Sequence, residues 1–169
     1  MQPKDEIEKS YETPDPWGYQ RSEADAVRKS TFLHIISMFL PDRVAHFSSA
    51  LDICCGEGWI TKDLPADEIH GLEISDNAAA RFPENVKRIF APEQKYDFIM
   101  ATGCLYAHYD WKQIVGHINN GLKKDTVIMI SNIATWEHPP AVREIKANQI
   151  YTAKFNYNEH QQQVRVFLA

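Results

Sequence analysis

The chain is poor in the features that would fix its class at once. Only three of its 169 residues are cysteine, Cys54, Cys55 and Cys104. Their count is odd and two are adjacent, which on an extended backbone sends the side chains to opposite faces, so no disulfide framework is indicated. None of them, nor any of the seven scattered histidines, falls into a Cys-x-x-Cys or Cys/His spacing suited to zinc, so no metal is expected and the thiols read as buried structural side chains. A membrane-length apolar run is also missing. The longest mostly apolar stretch, Phe32 to Leu40, falls far short of the roughly 18 to 20 residues of a span, and the charged opening Met1 to Ser10 is unlike a leader. Basic excess is absent as well: 18 Lys and Arg against 23 Asp and Glu leave a net charge of −5. With no basic stripe to gather phosphates, a nucleic-acid partner is disfavoured. A cytoplasmic protein without membrane partners is the expectation.

With 44% of residues hydrophobic, the chain can bury a core as one domain over 1–169, since a domain of this size hides roughly 68 to 70% of its unfolded surface. A helix is predicted from a Ser22 N-cap, with Asp25 in capping-box spacing, Val27, Phe32, Ile35, Ile36 and Phe39 on or near one face, and Pro41 as its end. Seven short apolar segments follow: Ala50 to Cys54, Ile69 to Ile74, Val86 to Phe90, Tyr96 to Ala101, Thr126 to Ile130, Ile150 to Phe155 and Val164 to Leu168. Helical patterns separate several of them, at Trp59 to Leu64, Asp76 to Arg81, Asp110 to Lys123 and Pro140 to Asn148. Near-continuous apolar strands alternating with helices read as an α/β fold with a mainly parallel sheet covered on both faces. The last two strands are joined by too few residues for a parallel crossover and are predicted to form an antiparallel hairpin. About six residues separate the third strand from the fourth, spanning at most about 20 Å. No helix fits there, so a short edge strand and a thinly covered flank are predicted, with a dimer contact or the N-terminal segment left to cover it.

The chemistry concentrates in Ala50-Leu-Asp-Ile-Cys-Cys-Gly-Glu-Gly-Trp59, which leads out of the first strand, and in Glu73 at the tip of the second. Gly56 and Gly58 let backbone approach a ligand where a Cβ would collide. A carboxylate about 20 residues on is placed to accept hydrogen bonds from two vicinal ribose hydroxyls. The pair describes a nucleoside pocket beyond the carboxyl ends of the strands. A nicotinamide dinucleotide fingerprint would need glycine at 61, where the chain has Thr61, which weakens the alternative of an oxidoreductase.

Residues 51–58, Leu-Asp-Ile-Cys-Cys-Gly-Glu-Gly, resemble the first motif of class I S-adenosylmethionine-dependent methyltransferases. Residues 96–106, Tyr-Asp-Phe-Ile-Met-Ala-Thr-Gly-Cys-Leu-Tyr, resemble their fourth-strand motif, and the likeness covers about residues 48–169. It implies a Rossmann-like seven-stranded sheet with an antiparallel last strand, and S-adenosylmethionine as cofactor. By the same resemblance Asp52, Cys54, Gly56 and Gly58 would line the methionine end, Glu73 and Ile74 the ribose side, Pro92 and Glu93 the adenine, and Ala101 and Thr102 the other side of the cofactor. Cys54 stands where the family usually has glycine. Asp15-Pro-Trp-Gly-Tyr19 is similar to the opening of methyltransferases that modify nodulation-type chitooligosaccharides, which implies a small-molecule, sugar or oligosaccharide acceptor.

With no inserted substrate domain, residues 1–40 and the loops after strands four and five must build the acceptor site. Trp17 and Tyr19 would offer rings to a sulfonium, with Tyr11 a weaker candidate. His108, Tyr106 and Asp110 lie where the methyl group would be presented and are the candidate catalytic residues, His108 as a base for a hydroxyl acceptor and Asp110 as a carboxylate that holds an amine. Asp110 also fits an N-cap. Asn132 and Trp136 are candidates for acceptor contact. His34, His46, His70, His117, His138 and His160 show no convergent partners, and Arg143, Lys146, Lys154 and Arg165 read as a solvated face. Oxygen and nitrogen acceptors both remain open, as does a catalytically silent cofactor-binding subunit docked through the thin flank.

Overall fold

The structure, a computed structural model, describes residues 3–40 and 45–169. Every apolar segment of the sequence becomes a strand: β1 (Phe47–Ile53), β2 (Ala66–Leu72), β3 (Val86–Ile89), β4 (Phe98–Thr102), β5 (Val127–Ile133), β6 (Asn148–Tyr157) and β7 (His160–Leu168). They form one sheet in the order β3-β2-β1-β4-β5-β7-β6. All neighbours pair in parallel except β7, which runs antiparallel between β5 and β6. This is the Rossmann-like arrangement that the sequence predicts. The period-two alternation sorts the central strands between two cores. Leu51, Ile53, Ile99 and Ala101 face one side with Ile114, Val115 and Ile118 of α4 (Trp111–Gly121). Ala50, Phe98, Met100 and Met129 face the other with Phe32, Ile35 and Ile36 of α2 (Glu23–Ser37). Gly121 ends α4 against the sheet, where an added Cβ would meet Ile99 Cδ1 at 2.8 Å.

Several local expectations need correction. Ser22 caps α2 by accepting from the Asp25 amide at 3.2 Å, but the Asp25 side chain turns away to Arg28 and Tyr157. Val27 faces solvent, because it falls between the turns that carry the buried stripe Asp25, Arg28, Phe32 and Ile35. The helix ends at Ser37; Pro41 lies outside the described residues. After the glycine bend only a 3-10 turn, Thr61–Asp63, forms where a helix from Trp59 is predicted, since the chain drops into β2 three residues later. α3 (Asp76–Ala79) and α5 (Pro139–Arg143) are shorter than their patterns, and a helix absent from the sequence reading, α1 (Lys4–Ser10), precedes α2. The hairpin is tighter than expected: β6 and β7 run through the polar stretch to a two-residue turn, with Asn158 at φ 51°. Asparagine tolerates that left-handed backbone.

β3 is a four-residue edge strand and no helix joins it to β4, as predicted. A polar network stands in for the missing helix. Buried His70, assigned no partner in the sequence reading, meets the Tyr96 hydroxyl at 2.7 Å through Nδ1 and Glu68 at 2.9 Å through Nε2. Gln94 donates to Glu68 at 2.6 Å and Lys87 pairs with Glu93 at 2.7 Å. Removing the Tyr96 hydroxyl strands the buried His70 nitrogen, an error worth about 1 to 3 kcal/mol. Tyr96→Phe is therefore expected to lower the free energy of unfolding by that amount in urea denaturation with the slope unchanged. An unaltered midpoint would show that the network bears no load.

Candidate active site

At the carboxyl ends of β1 and β4 the backbone turns left-handed four times, at Cys54 (φ 61°), Gly56 (59°), Gly58 (75°) and Gly103 (67°). These turns line or flank a cavity of about 640 Å3. Cys54 holds a conformation that costs a non-glycine residue about 1 to 3 kcal/mol, and its side chain packs on the β1–α4 core. Hydrogen bonding to the neighbouring Cys104 thiol, then burial, hold the Cys54 thiol well above the usual range and so uncharged. Glu73 is buried, and its carboxylate accepts the Gly56 amide through Oε2 and the Ser75 amide through Oε1, both at 2.9 Å. Arg88 donates to the Glu73 carbonyl at 3.1 Å and pairs with Asp76 at 2.7 Å. Burial raises the Glu73 carboxyl against the opposing pull of the two amides. Asp52 is enclosed more completely. Burial pushes it up to about 7 although the Thr61 hydroxyl, donating at 2.6 Å, pulls it down. Its Oδ1 has no partner.

The N-terminal segment closes this end. Tyr11 is buried with its hydroxyl where a Cβ on Gly56 would sit, 2.6 Å away, and burial raises its phenol strongly. Trp17 meets Tyr11 edge-on at 5.0 Å and stacks on Tyr19 at 5.9 Å, and Tyr19 stacks on Trp59 at 6.4 Å. Glu57, between the two glycines, anchors the cover. It accepts from the Asp15 amide at 3.0 and 3.2 Å and from Arg81 Nε at 2.7 Å.

The opposite end is walled by rings. Tyr106 stacks on His108 (5.7 Å) and Tyr109 (6.0 Å), and Trp136 meets Tyr106 edge-on at 6.0 Å. The Tyr106 hydroxyl accepts the Ile133 amide at 3.1 Å, which fixes its oxygen and leaves its own proton free to donate. Asp110 caps α4, accepting from the Gln113 amide at 3.2 Å.

Of the residues picked out by sequence, Asp52, Cys54, Gly56, Glu73, Ile74, Thr102, Trp17, Tyr19, Tyr106, His108, Asp110 and Trp136 line the cavity, as does Tyr11. Five others lie outside the lining. Gly58 is required by its turn and by Pro83, whose Cδ a Cβ would meet at 2.9 Å. Ala101 is buried in the core under β4. Pro92 and Glu93 follow a chain that turns back beneath the sheet, where Glu93 pairs with Lys87; Phe90, largely exposed, takes their place in the lining beside Ile74. Asn132 is also off the cavity, fully buried and accepting the Leu105 amide at 3.3 Å. Arg165 is no solvated residue but a fork on the covered side chain of Glu137, its Nη2 and Nε 2.9 and 3.2 Å from Oε1. The sequence reading missed Phe90, Tyr109, Trp59 and Arg28. For Arg28 the signal was present: a cation in phase with the apolar stripe of α2.

Among the described residues no group of three or more His, Cys, Asp or Glu is placed to hold a metal ion, and no helix is long and apolar enough to cross a membrane.

A parallel sheet with one reversed strand, a glycine bend after β1 and an acid at the tip of β2 together define a class I nucleoside-binding architecture. The chain matches the methyltransferase domain family over residues 24–165, and it belongs to that family, the class I S-adenosylmethionine-dependent methyltransferases. No curated protein matches it. Among solved structures it resembles magnesium protoporphyrin IX methyltransferase from Synechocystis PCC 6803 with bound SAH, at TM-score 0.70 and 11% identity over 98% of this chain and 99% of that one. An S-adenosylmethionine-dependent methyltransferase from Mesorhizobium loti gives 0.61 and 11% over 89% and 100%. A Haloferax volcanii complex between the Trm112 methyltransferase activator and a methyltransferase gives 0.59 and 12% over 88% and 98%. At such identities these structures speak for the fold.

A carboxyl group raised to about 7 keeps its proton in the folded state at pH values where the unfolded chain releases it. Stability of the free protein is therefore expected to fall as pH rises from about 4 to about 7 and to level off above, with Asp52→Asn flattening the slope in denaturation midpoints measured across that window.

Proposed function

We propose that the chain transfers a methyl group from S-adenosylmethionine to an oxygen or nitrogen atom of a small molecule, with residues 48–169 holding the donor and residues 3–40 forming the cap over both substrates. The observation that carries this reading is the continuity of one cavity from Glu73 and Asp52 to the ring-lined end at Tyr106, His108 and Trp136. The donor fits the residues present: Gly56 offers backbone free of a Cβ, Glu73 keeps lone pairs beyond the two amide bonds, and Asp52 Oδ1 is an acceptor with nothing to accept. When bound, the donor supplies an electrophilic methyl on a sulfonium. Thr61 stands where a dinucleotide site would need glycine, and its hydroxyl is committed to Asp52, which disfavours a nicotinamide cofactor.

The protein's part is to position and to exclude water. Glu73 accepts hydrogen bonds from ribose hydroxyls, and Ile74 and Phe90 flank the base. The rings of Trp17, Tyr19 and Tyr109 enclose the centre, where aromatic faces favour a cation. Holding acceptor and methyl near 3 to 3.5 Å in line is worth about 7 to 11 kcal/mol, so acid–base chemistry is secondary. For a hydroxyl acceptor His108, with no hydrogen-bond partner among the described residues and stacked on Tyr106, takes the proton as the bond forms. For a neutral amine, Asp110 accepts its N–H and orients it, which leaves the nitrogen lone pair free to attack. Trp136 and Tyr106 suit the apolar face of a sugar ring, in keeping with the likeness of the Asp15-Pro-Trp-Gly-Tyr19 opening to oligosaccharide-modifying enzymes.

Two measurements check this reading. Glu73→Gln is expected to weaken S-adenosylhomocysteine binding by calorimetry roughly 10- to 100-fold, the size of losing charge-assisted hydrogen bonds, while retained affinity removes the ribose site. A screen of metabolites and chitooligosaccharides for methyl-donor consumption identifies the acceptor, and on it His108→Ala is expected to lower kcat roughly 10²- to 10⁴-fold if the acceptor is a hydroxyl. Undiminished turnover on a hydroxyl acceptor excludes His108 as base, and donor binding with no turnover on any acceptor favours a silent subunit.

A further inference from the structure

Arg28 is a buried cation that the donor reading leaves unused. It is 9% exposed and its Nε has no partner, yet it lines the cavity. Among the described residues it pairs with one carboxylate, Asp25, through Nη2 at 2.7 Å. The same Asp25 oxygen also accepts the Tyr157 hydroxyl at 2.8 Å. A guanidinium presents five N–H donors in a planar fork that matches a carboxylate, so one shared oxygen leaves it under-satisfied, and burial makes that costly. The rings of Tyr19 and Tyr157, 4.7 and 4.9 Å from its central carbon, hold it in place.

This cation belongs to the ring-lined end. Burial raises the phenols of Tyr19, Tyr106 and Tyr157, and in all three the charge of Arg28 opposes the rise. Gln162, 2% exposed, lines the same cavity and donates to Ser131 Oγ at 2.7 Å. The helix that carries Arg28 is anchored in the core by Phe32, Ile35 and Ile36, so the fork is presented from a fixed wall. Lys4 is the only other lysine or arginine in the lining, and it pairs with Asp76.

We infer that the methyl acceptor is a small carboxylic acid whose carboxylate docks on Arg28 while its ring lies against Tyr106 and Trp136. This rests on the reading of the cavity as a methyltransferase site and narrows its substrate class. The carboxylate is the handle; the group methylated is a hydroxyl or amine elsewhere on the same molecule. The sulfur–methyl bond of the donor breaks as the new oxygen–methyl or nitrogen–methyl bond forms, and the acceptor gives up one proton. A neutral sugar would leave the donors of Arg28 unmet. A phosphate dianion would bring a second negative charge to a cation already half matched by Asp25, with no other free cation in the lining, and an uncompensated charge in a covered site is costly. A monoanion with two oxygens fits the fork.

Ligand-observed NMR titrations on the protein saturated with S-adenosylhomocysteine test it. The probes are 4-hydroxybenzoate, 4-aminobenzoate and glucuronate, each beside its neutral amide, together with phenyl phosphate. At least one acid is expected to bind roughly 10- to 100-fold tighter than its amide, the scale of a charged hydrogen-bonded pair. Arg28→Met is expected to erase that preference by weakening the acid alone. Arg28→Lys, which keeps the charge and loses the fork, is expected to retain part of it, and carries the comparison should the methionine variant not fold. Acids no tighter than their amides, no binding by any acid, or a preference that survives both variants overturns the inference. Equal losses for acid and amide also overturn it and make Arg28 structural. Phenyl phosphate held more tightly than every acid overturns it in favour of a phosphorylated acceptor. Failure of the donor reading shows separately, as a wild type that does not bind S-adenosylhomocysteine in calorimetry, and overturns both.

Discussion

The carboxylate of Glu73 ties the tip of β2 to the glycine bend of β1 through two backbone N–H groups, and the geometry of the candidate site depends on that bridge. A buried carboxylate is tolerated only when its charge is met by donors. Here the Gly56 and Ser75 amides supply them, with Arg88 beneath holding the carbonyl of the same residue. The bridge fixes the distance between the two strand tips and so the shape of the space above them. It also leaves lone pairs facing that space. A side chain of another type at 73 would lose the crossing between strands as well as the acceptor atoms, which is why structure and ligand recognition cannot be separated at this position.

Economy elsewhere puts a burden on the N-terminal segment. The turn after the glycine bend is barely helical and nothing helical lies between β3 and β4. The flank at β3 is closed by the His70, Tyr96 and Glu68 network rather than by an apolar helix, so it is covered but polar. Over the cavity the missing bulk is supplied by Tyr11, Trp17 and Tyr19, whose rings pack on one another and on Trp59. Rings suit the task because each hides a large area for few ordered torsions. Glu57 then converts a loose cover into a registered one by binding Asp15 and Arg81 at once.

The sheet was legible in the sequence because β4 and the first half of β5 are buried on both faces and read as near-continuous apolar runs, and because the short gap after Phe90 excludes a helix on length alone. Helix extents were less legible: Pro140 to Asn148 has a helical pattern, but β6 pairing claims its end. In the site, the places of Asp52, Gly56 and Glu73 at the cavity were readable because local backbone and spacing set them. Gly58 lies off the lining against Pro83, and a glycine needed against a side chain looks the same in sequence as one needed against a ligand. Pro92 and Glu93 were expected at the adenine from the family resemblance, whereas Arg88 packs under Phe90, its central carbon 4.6 Å from that ring, and Phe90 lines the cavity. Arg28 escaped because its partners Asp25, Tyr19 and Tyr157 are distributed over α2, the segment before it and the end of β6.

The two ends of the cover are held by different physics, and this bears on how a ligand reaches the cavity. α1 buries none of its residues. It is fastened by Glu8, which accepts the Asp76 and Asn77 amides at 2.8 and 2.9 Å, and by an exposed Lys4–Asp76 pair, contacts that solvent replaces at small cost. α2 instead places Phe32, Ile35 and Ile36 in the core and cannot lift without exposing them. The weak edge therefore lies over Glu73 and Ile74, and the strong edge over Arg28 and the ring-lined end. The side held by α1 is polar and shallow, and the side held by α2 is built into the core.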